Sequence, residues 1–220
     1  MMELVAWDFN GTILADSQAC TDAGNYIIKS FGGTPVPRKR YAATFDFPTT
    51  DFYRAQGCDM EALLAPESAY VQMFHGVYEA RAAKCRTRRG AREVLGWLRD
   101  KDIDSVILSN HMQGAIRTQL QRLGIEGYFA EVLANTDLEA THTGKNKIDR
   151  MADYLSRTHH DPAGAAIVGD SPEDIGIGKA LGMRTIAVAD GYFSTPRLRA
   201  SGPDYLVENL GELVGILECI

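Results

Sequence analysis

The stretch Leu4-Val5-Ala6-Trp7-Asp8-Phe9-Asn10-Gly11-Thr12 runs from an unbroken apolar segment into a carboxylate and then into a glycine turn. An apolar run without polar alternation is what a strand buried on both faces requires, as in a parallel sheet. Asp8 then stands at that strand's carboxyl end, beside the backbone N–H groups of the turn. The same kind of run recurs at Ser105 to Leu108, Ala165 to Val168 and Arg184 to Ala189, and more weakly at Glu131 to Ala134. Amphipathic segments of helical length separate these runs, at Ala91 to Arg99, Gln113 to Leu123, Lys147 to Arg157 and Pro172 to Leu181. Gly124 and Gly182 stand where left-handed helix C-caps belong. Strands alternating with helices mean βαβ units, and right-handed crossovers then predict an α/β fold with a Rossmann-like parallel sheet covered on both faces. Ligands of such sheets bind at the carboxyl ends of the strands.

The alternation breaks between the first and second strands. Helix-like stretches at Ala19 to Phe31, Thr50 to Gln56 and Pro66 to Lys84 follow one another there with no convincing strand. Gly32-Gly33, Pro35, Pro37, Pro48 and Gly57 punctuate them. The expectation is a core formed by residues 1–15 and 88–220, with an α-helical cap inserted at 16–87, able to move as a unit on its Gly/Pro-rich joints. The basic run Arg86, Arg88, Arg89 and Arg92 marks the return to the core and reads as a solvated surface, with attraction of substrate phosphate as the competing reading.

Composition narrows the function. Acidic residues outnumber basic ones 29 to 23, and a net charge of −6 lacks the basic surface that nucleic-acid binding requires. Cys20, Cys58, Cys85 and Cys219 form no CxxC pair, which indicates neither a zinc cluster nor a disulfide framework. The first residues carry no basic segment ahead of an apolar one, and no window approaches an uncharged span of about 18 residues. A cytoplasmic protein without membrane or nucleic-acid partners is expected.

The strand ends carry the chemistry. The second core strand closes on Leu108-Ser109-Asn110, which puts a hydroxyl next to Asp8's strand tip. Lys145 follows the weak strand, in a polar loop ahead of a helix. Lys147 competes with it, but reads as a surface residue of that helix's first turn. The next strong strand ends in Gly169-Asp170-Ser171-Pro172-Glu173-Asp174, two carboxylates with proline at the first helical turn.

These four elements, in this order and with a helical insertion after the first, resemble the motifs of the haloacid dehalogenase-like hydrolase superfamily. The phosphoglycolate-phosphatase-like branch, with a C1 type of cap, is the most similar in flavour. The resemblance covers nearly the whole chain. It implies that Asp8 attacks phosphorus to form an aspartyl-phosphate. Mg²⁺ would be held by the Asp8 carboxylate, the Asn10 carbonyl and Asp170, with Asp174 orienting its ligands. Ser109, Lys145 and the N–H groups of Phe9, Asn10 and Asn110 would stabilise the phosphoryl oxygens. The implied function is Mg²⁺-dependent hydrolysis of a small phosphorylated metabolite.

One residue departs from the pattern. Family phosphatases carry Asp where this chain has Asn10, and an amide cannot shuttle the proton that the leaving oxygen needs. General acid–base catalysis contributes roughly 10²- to 10⁴-fold. Asn10→Asp is therefore expected to accelerate alkyl phosphomonoester hydrolysis. A substrate with a good leaving group, a proton carried by another group, and a catalytically impaired phosphate-binding protein all stay open. His111 and His75 are the candidate carriers, and each also reads as an ordinary packing residue. Hydrolysis of a C–P bond, another activity of the superfamily, lacks its cap lysine between Asp46 and Arg54.

Overall fold

The computed structural model describes residues 2–138 and 147–220. Six parallel strands form one sheet in the order β3-β2-β1-β4-β5-β6. They are β1 (Leu4–Trp7), β2 (Asp104–Met112), β3 (Glu131–Asn135), β4 (Ala165–Gly169), β5 (Arg184–Val188) and β6 (Tyr205–Val207). The chain walks outward from β1 through β2 to β3, then returns to β4 on β1's other side. Its direction reverses there, so the crevice outside the carboxyl ends of β1 and β4 is the switch point where such sheets bind ligands.

The apolar runs are sorted by the pleat. Val5 and Trp7 join one buried cluster with Leu95, Leu98, Ile116 and Leu120, while Leu4 and Ala6 join another with Val106, Leu108, Met151 and Ile167. Side chains that alternate between two apolar layers need no polar face, which is why β1 reads as a continuous run. Each layer is built from core helices: α6 (Ala91–Asp100) and α7 (Gln113–Leu123) on one face, α8 (Lys147–Thr158) and α9 (Pro172–Leu181) on the other. Removing the wholly buried Trp7 side chain would cost about 3–5 kcal/mol.

Between β1 and β2 the chain forms α1 (Ser17–Ser30), α2 (Arg38–Thr44), α3 (Thr49–Ala55), α4 (Met60–Leu64) and α5 (Tyr70–Ala82), with no strand. Helices α1 and α5 pack together as its spine. Its two connections to the core run side by side: Ala15 N–H donates to Arg86 O at 2.9 Å and Arg88 N–H to Ile13 O at 2.8 Å.

Several expectations need correction. Pro66 does not start the third helical stretch, which begins at Tyr70 after Ala69 in a left-handed conformation. Helices α2 and α4 escape notice because seven and five residues are too few to display a helical period. Strand β6 has three residues, α10 (Thr195–Ala200) six and α11 (Leu213–Leu217) five, and they are invisible for the same reason. Arg88 is no solvated residue: its guanidinium donates to Gly11 O at 2.8 Å and Ala189 O at 2.6 Å, tying the loop after β1 to that after β5.

Candidate active site

The loop after β1 is held by its own glycine. Gly11 has φ +79°, and a Cβ there would come 2.4 Å from Asp170 Oδ2, so only glycine lets the loop pass so close to the end of β4. Asp8 and Asp170 therefore face one another across the β1–β4 crevice. Thr12 Oγ1 donates to Asp170 Oδ1 at 2.7 Å and Tyr192 N–H to Oδ2 at 2.6 Å, which fixes that carboxylate. Asp174 belongs to a capping box: Asp174 N–H donates to Ser171 Oγ at 3.2 Å and Ser171 N–H to Asp174 Oδ2 at 3.2 Å. Oxygens of Asp8, Asp170 and Asp174 lie within 4.8 Å of one another, all three buried.

Lys147 meets these acids. Its Nζ donates to Asp8 Oδ1 at 2.8 Å and to Asp174 Oδ1 at 2.5 Å, and its side chain is only 3% exposed. The expected surface position for Lys147 is thus wrong. Lys147 shares with Met151, Tyr154 and Leu155 the inward stripe of α8, the i, i+4, i+7, i+8 face. That spacing is legible in the sequence and names Lys147 rather than its neighbour. Lys145 lies outside the described residues, as does His142.

Burial and mutual repulsion leave these acids short of positive charge. Burial lifts the Asp8 carboxyl well above the usual carboxylate range, Lys147 opposes this, and Asp174 and Asp170 add to it. Burial likewise raises Asp170, to about 6, with the Tyr192 N–H opposing and Asp174 adding. Burial alone would lower the Lys147 ammonium, but Asp174 and Asp8 hold it above an ordinary lysine. One ammonium offsets one of three carboxylates, and an all-oxygen donor set suits a hard divalent cation. The residues fit such an ion.

On the β2 side, Ser109 and Asn110 sit where the pairing with β3 shifts between Leu108 and Met112. Arg150 of α8 clamps this segment, donating to Ser109 O at 2.9 Å and to Asn135 Oδ1 at 2.6 Å, while Asn135 Nδ2 donates to Asn110 O at 2.6 Å. Asn110 Nδ2 donates to Glu173 Oε2 at 2.7 Å. Arg150 lies three residues after Lys147 and was not anticipated, because nothing local marks an arginine that reaches back to another strand.

Asn10 is built into a polar knot. Its Nδ2 donates to Asp16 Oδ2 at 2.9 Å and to Tyr78 OH at 2.6 Å, leaving Oδ1 at 3.5 Å from Ser109 Oγ. Asp16, wholly buried, also accepts from Gly11 N–H at 2.7 Å, from Tyr192 OH at 2.9 Å and from Tyr78 OH. Both amide protons of Asn10 are thus spoken for, and Asp16, Tyr78 and Tyr192 are neighbours of the candidate site that no sequence motif marks.

A cleft open at its mouth joins these groups. Asp8, Asn10, Ser109, Asn110, Lys147 and Asp170 line its core side. Phe9 is buried in the apolar core behind them. Its other walls include Phe45, Phe47, Tyr53, Phe74, Tyr192 and Phe193. Phe52 stands behind this wall, its ring 5.4 Å from that of Phe45 and 4.7 Å from that of Tyr41. Thr49 lines the cleft. Arg54 is exposed and not among the lining residues, nor is Thr50.

Known proteins share this architecture. A phosphoglycolate phosphatase of Synechococcus elongatus is 24% identical over 97% of this chain and 96% of its own length. Pyrophosphatase PpaX of Bacillus velezensis is 29% identical over 56% of each chain. A haloacid dehalogenase-like protein of unknown function from Agrobacterium tumefaciens superposes with a TM-score of 0.79 at 19% identity, over 100% of this chain and 99% of that one. A haloacid dehalogenase-like hydrolase of Streptococcus pneumoniae gives 0.72 at 19% identity over 98% of both. The family model described as haloacid dehalogenase-like hydrolase matches residues 5–188, from the strand that presents Asp8 to the strand beyond Asp170. The chain belongs to the haloacid dehalogenase-like hydrolases.

Proposed function

We propose that the protein is a Mg²⁺-dependent phosphohydrolase that works through an aspartyl-phosphate on Asp8. The observation that carries this reading is the cluster at the switch point: three buried carboxylates whose oxygens lie within 4.8 Å, bridged by Lys147. Such a site attracts a cation and, through it and the ammonium, a phosphoryl dianion. Asp8, Asp170 and the Asn10 carbonyl would hold Mg²⁺, which when bound neutralises carboxylate charge and polarises phosphoryl oxygen. Asp8 offers a carboxylate oxygen to phosphorus, so one hard displacement becomes two easier ones. Asp174 positions Lys147 through the 2.5 Å contact, and Lys147 and Ser109 stabilise charge on the transferring group. The residues from 16 to 87 serve as a cap that excludes water and selects the leaving group.

The walls of the cleft indicate which leaving group. Lys147 is the only lysine or arginine among its described lining residues, and the remaining walls are largely aromatic. A carboxylate-bearing or second-phosphate leaving group would find no guanidinium there, whereas an apolar or aromatic one would stack on Phe45, Phe47 or Phe193. The reading is therefore a small phosphate ester with an apolar leaving group. Phosphate release from aryl and alkyl phosphates, phosphoglycolate and pyrophosphate, with Mg²⁺ and with chelator, tests it. Release that is Mg²⁺-dependent, abolished by Asp8→Asn and fastest on aryl esters is expected. Full activity in chelator or in Asp8→Asn protein would sink the mechanism, and a preference for phosphoglycolate would sink the substrate class.

A further inference from the structure

Asn10 leaves the proposed phosphatase without a proton carrier at its usual place, and another cluster stands beside that gap. Helix α5 carries His75, Tyr78 and Glu79, and β2 brings His111 against them. His111 Nε2 lies 2.9 Å from Glu79 Oε1, and His75 Nδ1 lies 3.8 Å from the same oxygen. The two imidazole rings stack with centroids 5.4 Å apart and planes within 9°. Both line the cleft that holds Asp8, Asn10 and Ser109. Tyr78 joins the two places: its ring packs edge-on 5.4 Å from that of His111, and its hydroxyl accepts from Asn10 Nδ2. The cluster thus stands one side chain away from where the missing carboxyl would work.

Resting on the phosphohydrolase reading above, we infer that the His75–Glu79–His111 cluster is the general acid and base of this site, carrying the proton that Asn10 cannot. Glu79 Oε1 faces both rings, so the two imidazoles share one carboxylate partner. Glu79 stays ionised to play this part: burial acts to raise it, but the hydrogen bonds and charge of His111 and His75 carry it down to about 2. In the first step Asp8 bonds to phosphorus, the bond to the leaving oxygen breaks, and that oxygen takes the imidazolium proton. In the second, water bonds to phosphorus and gives a proton to the now neutral imidazole. The bond to Asp8 breaks, which restores the carboxylate and the imidazolium and releases inorganic phosphate. Asp16 is the nearer carboxylate, but it is wholly buried, accepts from four donors and does not line the cleft.

The test compares kcat and KM on an alkyl phosphate and on p-nitrophenyl phosphate, whose leaving group needs little protonation. The variants are His75→Gln/His111→Gln and Glu79→Gln, each alone and combined with Asn10→Asp. The alkyl kcat should fall at least about tenfold in the double-histidine variant, a conservative part of what a positioned acid supplies. The aryl kcat should fall much less, with little change in KM. With Asn10→Asp added, the histidine changes should become nearly silent on the alkyl ester. Glu79→Gln keeps both imidazoles in place and should show the same selectivity on a smaller scale, so misfolding of the double variant would leave the inference testable. Equal losses on both esters, or losses undiminished in the Asn10→Asp background, would overturn it. So would a stoichiometric transition metal in the wild type, found by elemental analysis, that leaves with the histidines. Absence of all phosphate release from the wild type would instead refute the phosphohydrolase reading itself.

Discussion

Lys147 shows how one buried charge can organise a site. Its ammonium is held by two carboxylates, Asp8 just after β1 and Asp174 in the first turn of α9, so removing it leaves both acids facing each other in a region nearly closed to water. Breaking a buried pair from one side typically costs about 3–5 kcal/mol. Lys147→Met should abolish phosphate release and lower the melting temperature, while Lys145→Met should stay within a few-fold of wild type. The opposite ranking in parallel assays would return the phosphate role to Lys145. Asn10 obeys a similar logic in reverse. An aspartate there would lose both amide donors and meet the buried Asp16 carboxylate at a place where Nδ2 now stands 2.9 Å away. Asn10→Asp should therefore destabilise the fold by about 1–3 kcal/mol through an unsatisfied buried acceptor. In the wild-type background, where the histidines already carry the proton, the gain on an alkyl phosphate should be small; in the His75→Gln/His111→Gln background Asn10→Asp should restore at least about tenfold, alongside a lower melting temperature. No recovery in folded protein of that background would show that a carboxyl at position 10 cannot serve as the acid.

The strands and their loops explain which parts of this site could be read in advance. Asp8 and Asp170 directly follow β1 and β4, where the rule that ligands sit at strand carboxyl ends places them, whereas Ser109 ends an apolar run but lies inside β2, at the irregularity before Met112. Lys147 was also within reach, because it falls on the inward stripe of α8, but its nearness to Lys145 in a polar stretch obscured this. Tyr192, Arg88 and Arg150 were not readable at all. Each acts on residues more than forty positions away or through a main-chain group, and no local pattern encodes such a reach. The turn after β5 is a case in point. Gly191 lets that turn approach so closely that a Cβ would lie 2.2 Å from Asp170 Oδ2. Gly191→Ala must push either the turn or the carboxylate aside. Apparent Mg²⁺ affinity, read from the metal dependence of turnover, should fall at least about tenfold while the fold persists. A metal dependence identical to wild type would remove Asp170 from the proposed metal site.

Across the whole molecule, the helical unit between β1 and β2 touches the core in two different ways. Its two connections pair with each other through Ala15 and Arg88, a short ribbon on which the unit could swing as one body. Its far side meets the loop after β5 through polar contacts: Arg38 with Asp190 at 2.7 Å, Arg197 with Asp46 at 2.7 Å, and Ser194 N–H donating to Ala42 O at 3.0 Å. Exposed ion pairs of this kind contribute only about 0–1 kcal/mol each, while the buried Phe45 ring packs at the same edge, 6.2 Å from that of Tyr192 and 5.7 Å from that of Phe193. If the unit must swing aside for substrate to enter the cleft, these contacts have to part. The backbone contact between residues 42 and 194 brings two positions close enough for a disulfide to close across the gap. A variant with Ala42→Cys and Ser194→Cys, in a background where Cys85 and Cys219 are serine, should be active when reduced and lose at least about tenfold in kcat when oxidised. Dithiothreitol should restore it. Cys20 and Cys58 are buried, and a control that carries neither introduced cysteine reports any part they take. If the oxidised protein turns over as fast as the reduced one, with the crosslink verified by mass, then the unit does not need to open at this edge, and substrate must enter by the mouth of the cleft as it stands.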